Sequence, residues 1–107
     1  MVTTIKYYTL QKMIENIKSG NYIFLHGIER YHDAGEFFTT AKDQLNGRGF
    51  KAWFKKNIEP YVDFKIRTAQ LYIELYEHWE DERAVDYRKT TKRPTLTGLL
   101  KAIHHLN

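Results

Sequence analysis

The sequence has no cysteine and a single serine, Ser19. This excludes disulfide scaffolds, thiolate catalysis, iron-sulfur clusters and cysteine-ligated zinc together. Ser19 lies outside any Gly-x-Ser-x-Gly context, so a serine nucleophile is missing too. Asn46-Gly47-Arg48-Gly49 has two glycines but no Gly-Lys-Ser/Thr and no preceding strand, a poor match to a phosphate loop. No apolar run approaches the roughly 20 residues of a membrane span, and MVTTIKYYTLQKM lacks the basic start and apolar core of a signal peptide. The expectation is a soluble, cytoplasmic chain with no membrane contact, no cofactor and no enzymatic activity.

Metal-ligand spacing is also lacking. None of His26, His32, His78, His104 and His105 stands four residues from another, the spacing that puts two ligands on one helical face. Glu29 and His32 form Glu-x-x-His, but a di-iron bundle needs a second copy and further carboxylates. Partly exposed surface histidines are expected, with no bound metal.

What is present suffices for one core. At 107 residues, 42% hydrophobic and 15% aromatic, the chain is expected to form a single helical domain over 1–107 whose interior is rich in Tyr, Phe and Trp. Its charge is segregated. Residues 1–46 balance to zero, residues 47–73 carry +4, residues 74–82 carry −5 and residues 83–93 carry +4 again. Basic blocks of this kind favour polyanions through counterion release, although a solvated helix face is the commoner origin of any one charge run.

Periodicity places the elements. Thr9 as N-cap, with Leu10, Met13, Ile14 and Ile17 on one stripe, predicts a helix over about 9–19, and Gly20-Asn21 suits its end. The preceding TTIKYY reads as an arm or short extended piece, and the YIFL of Tyr22 to Leu25 as a packed connection. A second helix starts near Gly27 and carries Ile28, Tyr31, Phe38, Ala41 and Leu45, with Gly27 and Gly35 each weakening it by about 1 kcal/mol. Asn46 to Gly49 is a turn. Phe50, Trp53 and Phe54 give a short third helix over 50–57 with its lysines outward, and Pro60 forces a break near Ile58 to Glu59. A fourth helix follows over about 63–81, opening at Pro60 or at an Asp63 cap, with Ala69, Tyr72, Ile73, Tyr76 and Trp79 inward. The polar, aperiodic stretch 84–93 reads as a basic loop. Pro94 or Thr95 then opens a last helix with Leu96, Leu99, Leu100 and Ile103 on one stripe, which must dock on its own core or on a second copy in a homodimer. The fold class is all-α: a small four- to five-helix domain with a helix-turn-helix-like pair at about 50–57 and 63–81.

That pair carries the functional signal. In a helix-turn-helix the second helix lays its first-turn side chains against base edges. Arg67, Thr68 and Gln70 are suitable: Arg for guanine, Gln for adenine, Thr for a base or a phosphate. Lys51, Lys55, Lys56 and Lys65 would hold phosphates, and Arg88, Lys89, Lys92 and Arg93 would extend the footprint. The plainer alternative is a packed aromatic stripe with a wet basic face, and Phe50, Trp53, Phe54, Tyr72 and Trp79 are expected in the core rather than stacking on bases. The acids from Glu74 to Glu82 would be repelled by phosphate, so only the first turns of the fourth helix could approach a duplex.

Gly35, Ala41, Lys42, Leu45, then Gly49-Phe50-x-x-Trp53, Asn57 and Arg67-Thr68-Ala69-Gln70-x-Tyr72 together resemble a small phage, prophage and plasmid family of unknown function, over residues 34–75. The family usually has a serine two residues before the arginine, where this chain has Lys65, and a shorter connection between Trp53 and Arg67. The resemblance implies a mobile-element protein with a helix-turn-helix-like core. The favoured reading is therefore a non-enzymatic protein binding double-stranded DNA, as a regulator of transcription or an accessory of replication or partition. The alternative is a protein-interaction module, such as a phage factor that binds and inhibits a host complex, to which the alternation of acidic and basic blocks is suited.

Overall fold

A computed structural model of the chain describes residues 11–15, 17–19 and 27–104. The expectations placed on the opening arm, the Thr9 cap and the Tyr22 to Leu25 connection lie outside these residues. The described elements are all helical: α1, with residues 11–15 and 17–18 described, α2 (Ile28–Gln44), α3 (Phe50–Asn57), a 3-10 turn (Glu59–Tyr61), α4 (Ile66–Glu77), α5 (Glu82–Thr90) and α6 (Leu96–His104). No strand occurs among the described residues, and none of their helices is long and apolar enough to cross a membrane.

The turn after α2 ends the helix in a defined way. Asn46 N–H donates to Asp43 O at 3.0 Å and Gly47 N–H to Lys42 O at 2.9 Å, the paired bonds of a Schellman motif. Asn46, at φ 54, is the left-handed residue, and Gly47 and Gly49 follow at φ 74 and 71. Asparagine and glycine tolerate this region where other side chains clash, so the turn can reverse the chain within four residues.

α2 and α4 form the central pair. Ala34, Gly35, Phe37, Phe38 and Ala41 are the buried positions of α2, and Ala69, Tyr72, Ile73 and Leu75 those of α4. The crossing is closest at Gly35, where an added Cβ would lie 2.0 Å from the Tyr72 carbonyl oxygen. The glycine that reads in sequence as a weak point in α2 is thus what allows α4 to approach. Phe38 is fully buried at the centre, with the rings of Phe54, Phe64 and Phe50 at 5.7, 6.2 and 6.4 Å. α3 delivers Phe50 and Phe54 to this cluster, with Trp53 half-buried beside them.

Two expectations need correction. The fourth helix runs from Ile66 to Glu77 rather than 63–81, and Asp63 does not cap it: its N-cap is Lys65, which makes no side-chain cap bond. It ends because the Asp81 carboxylate caps a new helix, accepting from Arg83 N–H at 2.9 Å, which turns the chain through His78 to Glu80. The supposed basic loop 84–93 is therefore mostly α5. Its apolar signal is faint because Ala84, a small residue, is its one buried position. The stripe of α6 packs within the chain. Leu99 and Ile103 are buried with Leu75 and Ala84, and Leu96 and Leu100 pack against them, so α6 docks on the chain's own core, one of the two partners its stripe allowed. Thr95 caps α6 by accepting from Gly98 N–H at 3.0 Å, and the Tyr87 hydroxyl accepts from Thr95 N–H at 3.1 Å, tying α5 to the start of α6.

Candidate nucleic-acid interface

α3 has two unlike sides. Phe50 and Phe54 are buried, whereas Lys51, Ala52, Lys55 and Lys56 are exposed, and the helix carries no acid. Lys55 and Lys56 stand in the last turn, where cations oppose the negative end of the helix dipole. That is sufficient structural reason for their presence, and it leaves their ammonium groups facing solvent. A further cation joins them from a distance: Lys18 Nζ donates to Asn57 Oδ1 at 3.4 Å, bringing α1 to the C-terminal end of α3. Sequence reasoning passed over Lys18, since only the tertiary fold spans the 39 residues between them.

The opening of α4 departs from the usual chemistry of a helix start. Its first turn holds Arg67 and no acid, and Lys65 precedes it without a side-chain cap. A helix N-terminus normally attracts carboxylates or capping oxygens, each stabilising by about 0.3–1 kcal/mol. Here basic side chains stand where anions are favoured. Lys65 pairs with Glu59 at 3.4 Å, but its side chain is 78% exposed, so the pair holds it loosely.

Of the remaining candidates, Arg67 and Gln70 are exposed on one stripe of α4, and Thr68 between them is half-buried. That stripe continues into Glu74 and Glu77, which confines any phosphate approach to the first turn. Glu74 is drawn to α6, where its Oε2 lies 2.5 Å from His104 Nε2. Arg88 is committed elsewhere: its guanidinium donates to the Trp79 carbonyl at 2.7 Å and lies 3.7 Å from the ring centroid. It pins α5 to the turn after α4 and is not a free phosphate contact. Lys89, Lys92 and Arg93 are exposed at the end of α5 and in the connection beyond it. The two helices of the expected pair are both present, but α4 packs mainly along α2, and residues 58–65 separate it from α3.

No group of three His, Asp or Glu among the described residues could hold a metal ion. A cleft of about 380 Å³ between the start of α2, Tyr72 and the Pro94 to Thr97 segment is lined by tyrosine, threonine and apolar side chains, with no carboxylate, imidazole or cation. Three groups have displaced ionisation among the described residues, one of them Arg83, whose guanidinium pKa is raised by its hydrogen bond to Asp81. The Asp81 carboxyl is held below the usual carboxylate range by side-chain and then backbone hydrogen bonds from Arg83, which explains its role as a cap. The Tyr72 hydroxyl is pushed up to about 12, mainly by burial, then by Tyr31 and Asp63. Comparison with known proteins finds no match among family models, curated proteins or solved structures.

Proposed function

We propose that the chain is a non-enzymatic DNA-binding protein of a mobile element, serving as a regulator or an accessory of replication or partition. The observation that carries this reading is the exposure of cations in two acid-free places, the outer face of α3 and the uncapped, basic first turn of α4. Lys51, Lys55 and Lys56 neutralise phosphates, with Lys18 beside them and Lys65 and Arg67 at the helix start. Gln70, and Thr68 more weakly, supply hydrogen bonds at the edge of this footprint, and Lys89, Lys92 and Arg93 offer a second, separate set of cations. A positive helix opening costs some stability in the free protein and is repaid when a phosphate oxygen meets its backbone N–H groups. The resemblance over residues 34–75 points to the same class of protein.

Fluorescence anisotropy with labelled DNA across a salt series tests it. Wild-type affinity falls steeply with salt. Replacing Lys55, Lys56 and Arg67 with Gln together lowers the slope of log affinity against log salt by about 2 to 3, since each phosphate contact contributes about 0.9 on a duplex. A folded triple variant with unchanged affinity and slope refutes the reading. Absence of wild-type binding at low salt instead favours a protein partner, for which exposed Glu77, Glu80 and Glu82 beside the basic blocks give opposite-charge complementarity.

A further inference from the structure

We propose that Tyr61 is a stacking platform for an unpaired nucleobase, so that the surface around the connection between α3 and α4 takes single-stranded DNA in preference to an intact duplex. The inference rests on the phosphate-binding reading of Lys55, Lys56 and Arg67 and specifies which strand form that surface holds. A single exposed tyrosine is ordinary on a protein surface. What distinguishes this one is its setting. Every other described Phe, Tyr and Trp is buried or half-buried, whereas Tyr61 is 48% exposed and makes no side-chain hydrogen bond or ring contact among the described residues.

The ring is presented from a stiff base. Pro60 fixes the backbone just before it, and Tyr61 N–H donates to Ile58 O at 2.9 Å. Ile58 is fully buried, and Val62 and Phe64 pack against the same core on the other side. An aromatic side chain on such a turn has little conformational freedom to lose on binding, the economy that makes tyrosine effective at recognition surfaces.

Its neighbours set the ligand. Lys55 and Lys56 come just before the turn and Arg67 soon after, and the exposed Lys65 pairs loosely with Glu59 of the turn at 3.4 Å. Glu59 and Asp63 are the acids of this segment, and they keep phosphates off the turn, leaving the ring to a base while the backbone runs along the flanking cations. An exposed aromatic ring with basic side chains on either side of it in the chain offers the two contacts that single-strand binding uses, stacking on a base and neutralisation of phosphates. A duplex keeps its bases stacked and paired, and the Glu74 and Glu77 side of α4 repels its phosphates.

The test compares wild type, Tyr61→Ala and Tyr61→Phe for binding to labelled oligothymidylate and to a labelled duplex, with circular dichroism confirming equal helicity. Tyr61→Ala weakens oligothymidylate binding on the order of tenfold, Tyr61→Phe stays near wild type, and duplex affinity and both salt slopes are little changed. Unchanged oligothymidylate binding by Tyr61→Ala overturns the stacking proposal and leaves the phosphate reading standing. Equal losses on both strand forms overturn the single-strand preference. Failure of the wild type to bind either strand at low salt overturns the phosphate reading and this proposal with it.

Discussion

Tyr72 shows how a residue's chemistry follows from its place in the core. Its ring stacks on Tyr31, with centroids 4.9 Å apart and planes 10° apart, and meets the edge of Phe64 at 5.5 Å. Burial opposes the phenolate, so the hydroxyl ionises near 12 rather than near 10 in the folded chain. The sign follows from linkage. Between about 10 and about 12 the folded state keeps a proton that the unfolded state has released, so this stability is complete below about 10 and is lost as pH climbs through the folded value. Tyr72→Phe, which keeps the ring, is therefore expected to lose less stability than wild type across that window, as urea midpoints measured at rising pH would show. Identical alkaline decline in the two proteins would remove burial of this hydroxyl as the cause. Arg88 makes the complementary point. Its residue type is right for a phosphate contact, and its partner, Trp79, is disclosed by packing alone.

Among the elements, the α2–α4 crossing governs the rest. The Cβ of an alanine at position 35 would meet the Tyr72 carbonyl oxygen at 2.0 Å, its carbon at 2.7 Å and the Tyr76 Cβ at 2.8 Å. Two of these are backbone atoms that no rotamer change can move, so the helices must separate. Gly35→Ala is expected to destabilise by about 1–3 kcal/mol, the range for overpacking, despite a helix-propensity gain of about 1 kcal/mol. The urea midpoint measures it, and a stabilised variant would mean that the two helices do not cross this closely. α5 shows the opposite limit of pattern reading. A helix that buries little more than Ala84, and docks through Tyr87 and Arg88, has almost no apolar stripe to detect.

For the molecule as a whole, the core is two clusters with shared members. Phe38, Phe54 and Ile58 centre one; Leu75, Ala84 and Leu99 centre the other; Tyr31 and Leu96 pack against both. The chain has two tryptophans, and Trp53 belongs to the first cluster and Trp79 to the second. Such sharing predicts one cooperative transition. In the single-tryptophan variants Trp53→Phe and Trp79→Phe, the fluorescence midpoint in urea should coincide with that of helical circular dichroism. Separate midpoints in either would show that its cluster melts alone.

Read alone, the sequence determined the all-α class, the α3 boundaries, the start of α2 near Gly27, the break at Ile58 to Glu59, and the outward lysines of α3. These follow from local rules: periodicity, Gly and Pro punctuation, and the side on which charges fall relative to aromatics. Only the tertiary structure decided that Gly35 is a contact, that α4 rests on α2, that Lys18 reaches Asn57, that Arg88 is taken by Trp79, that the α6 stripe is consumed internally and that Tyr61 is left out in solvent. Each depends on residues distant in the chain or on which neighbour occupies a given face. A residue's type states what it can bind, and the folded surroundings state what it does bind.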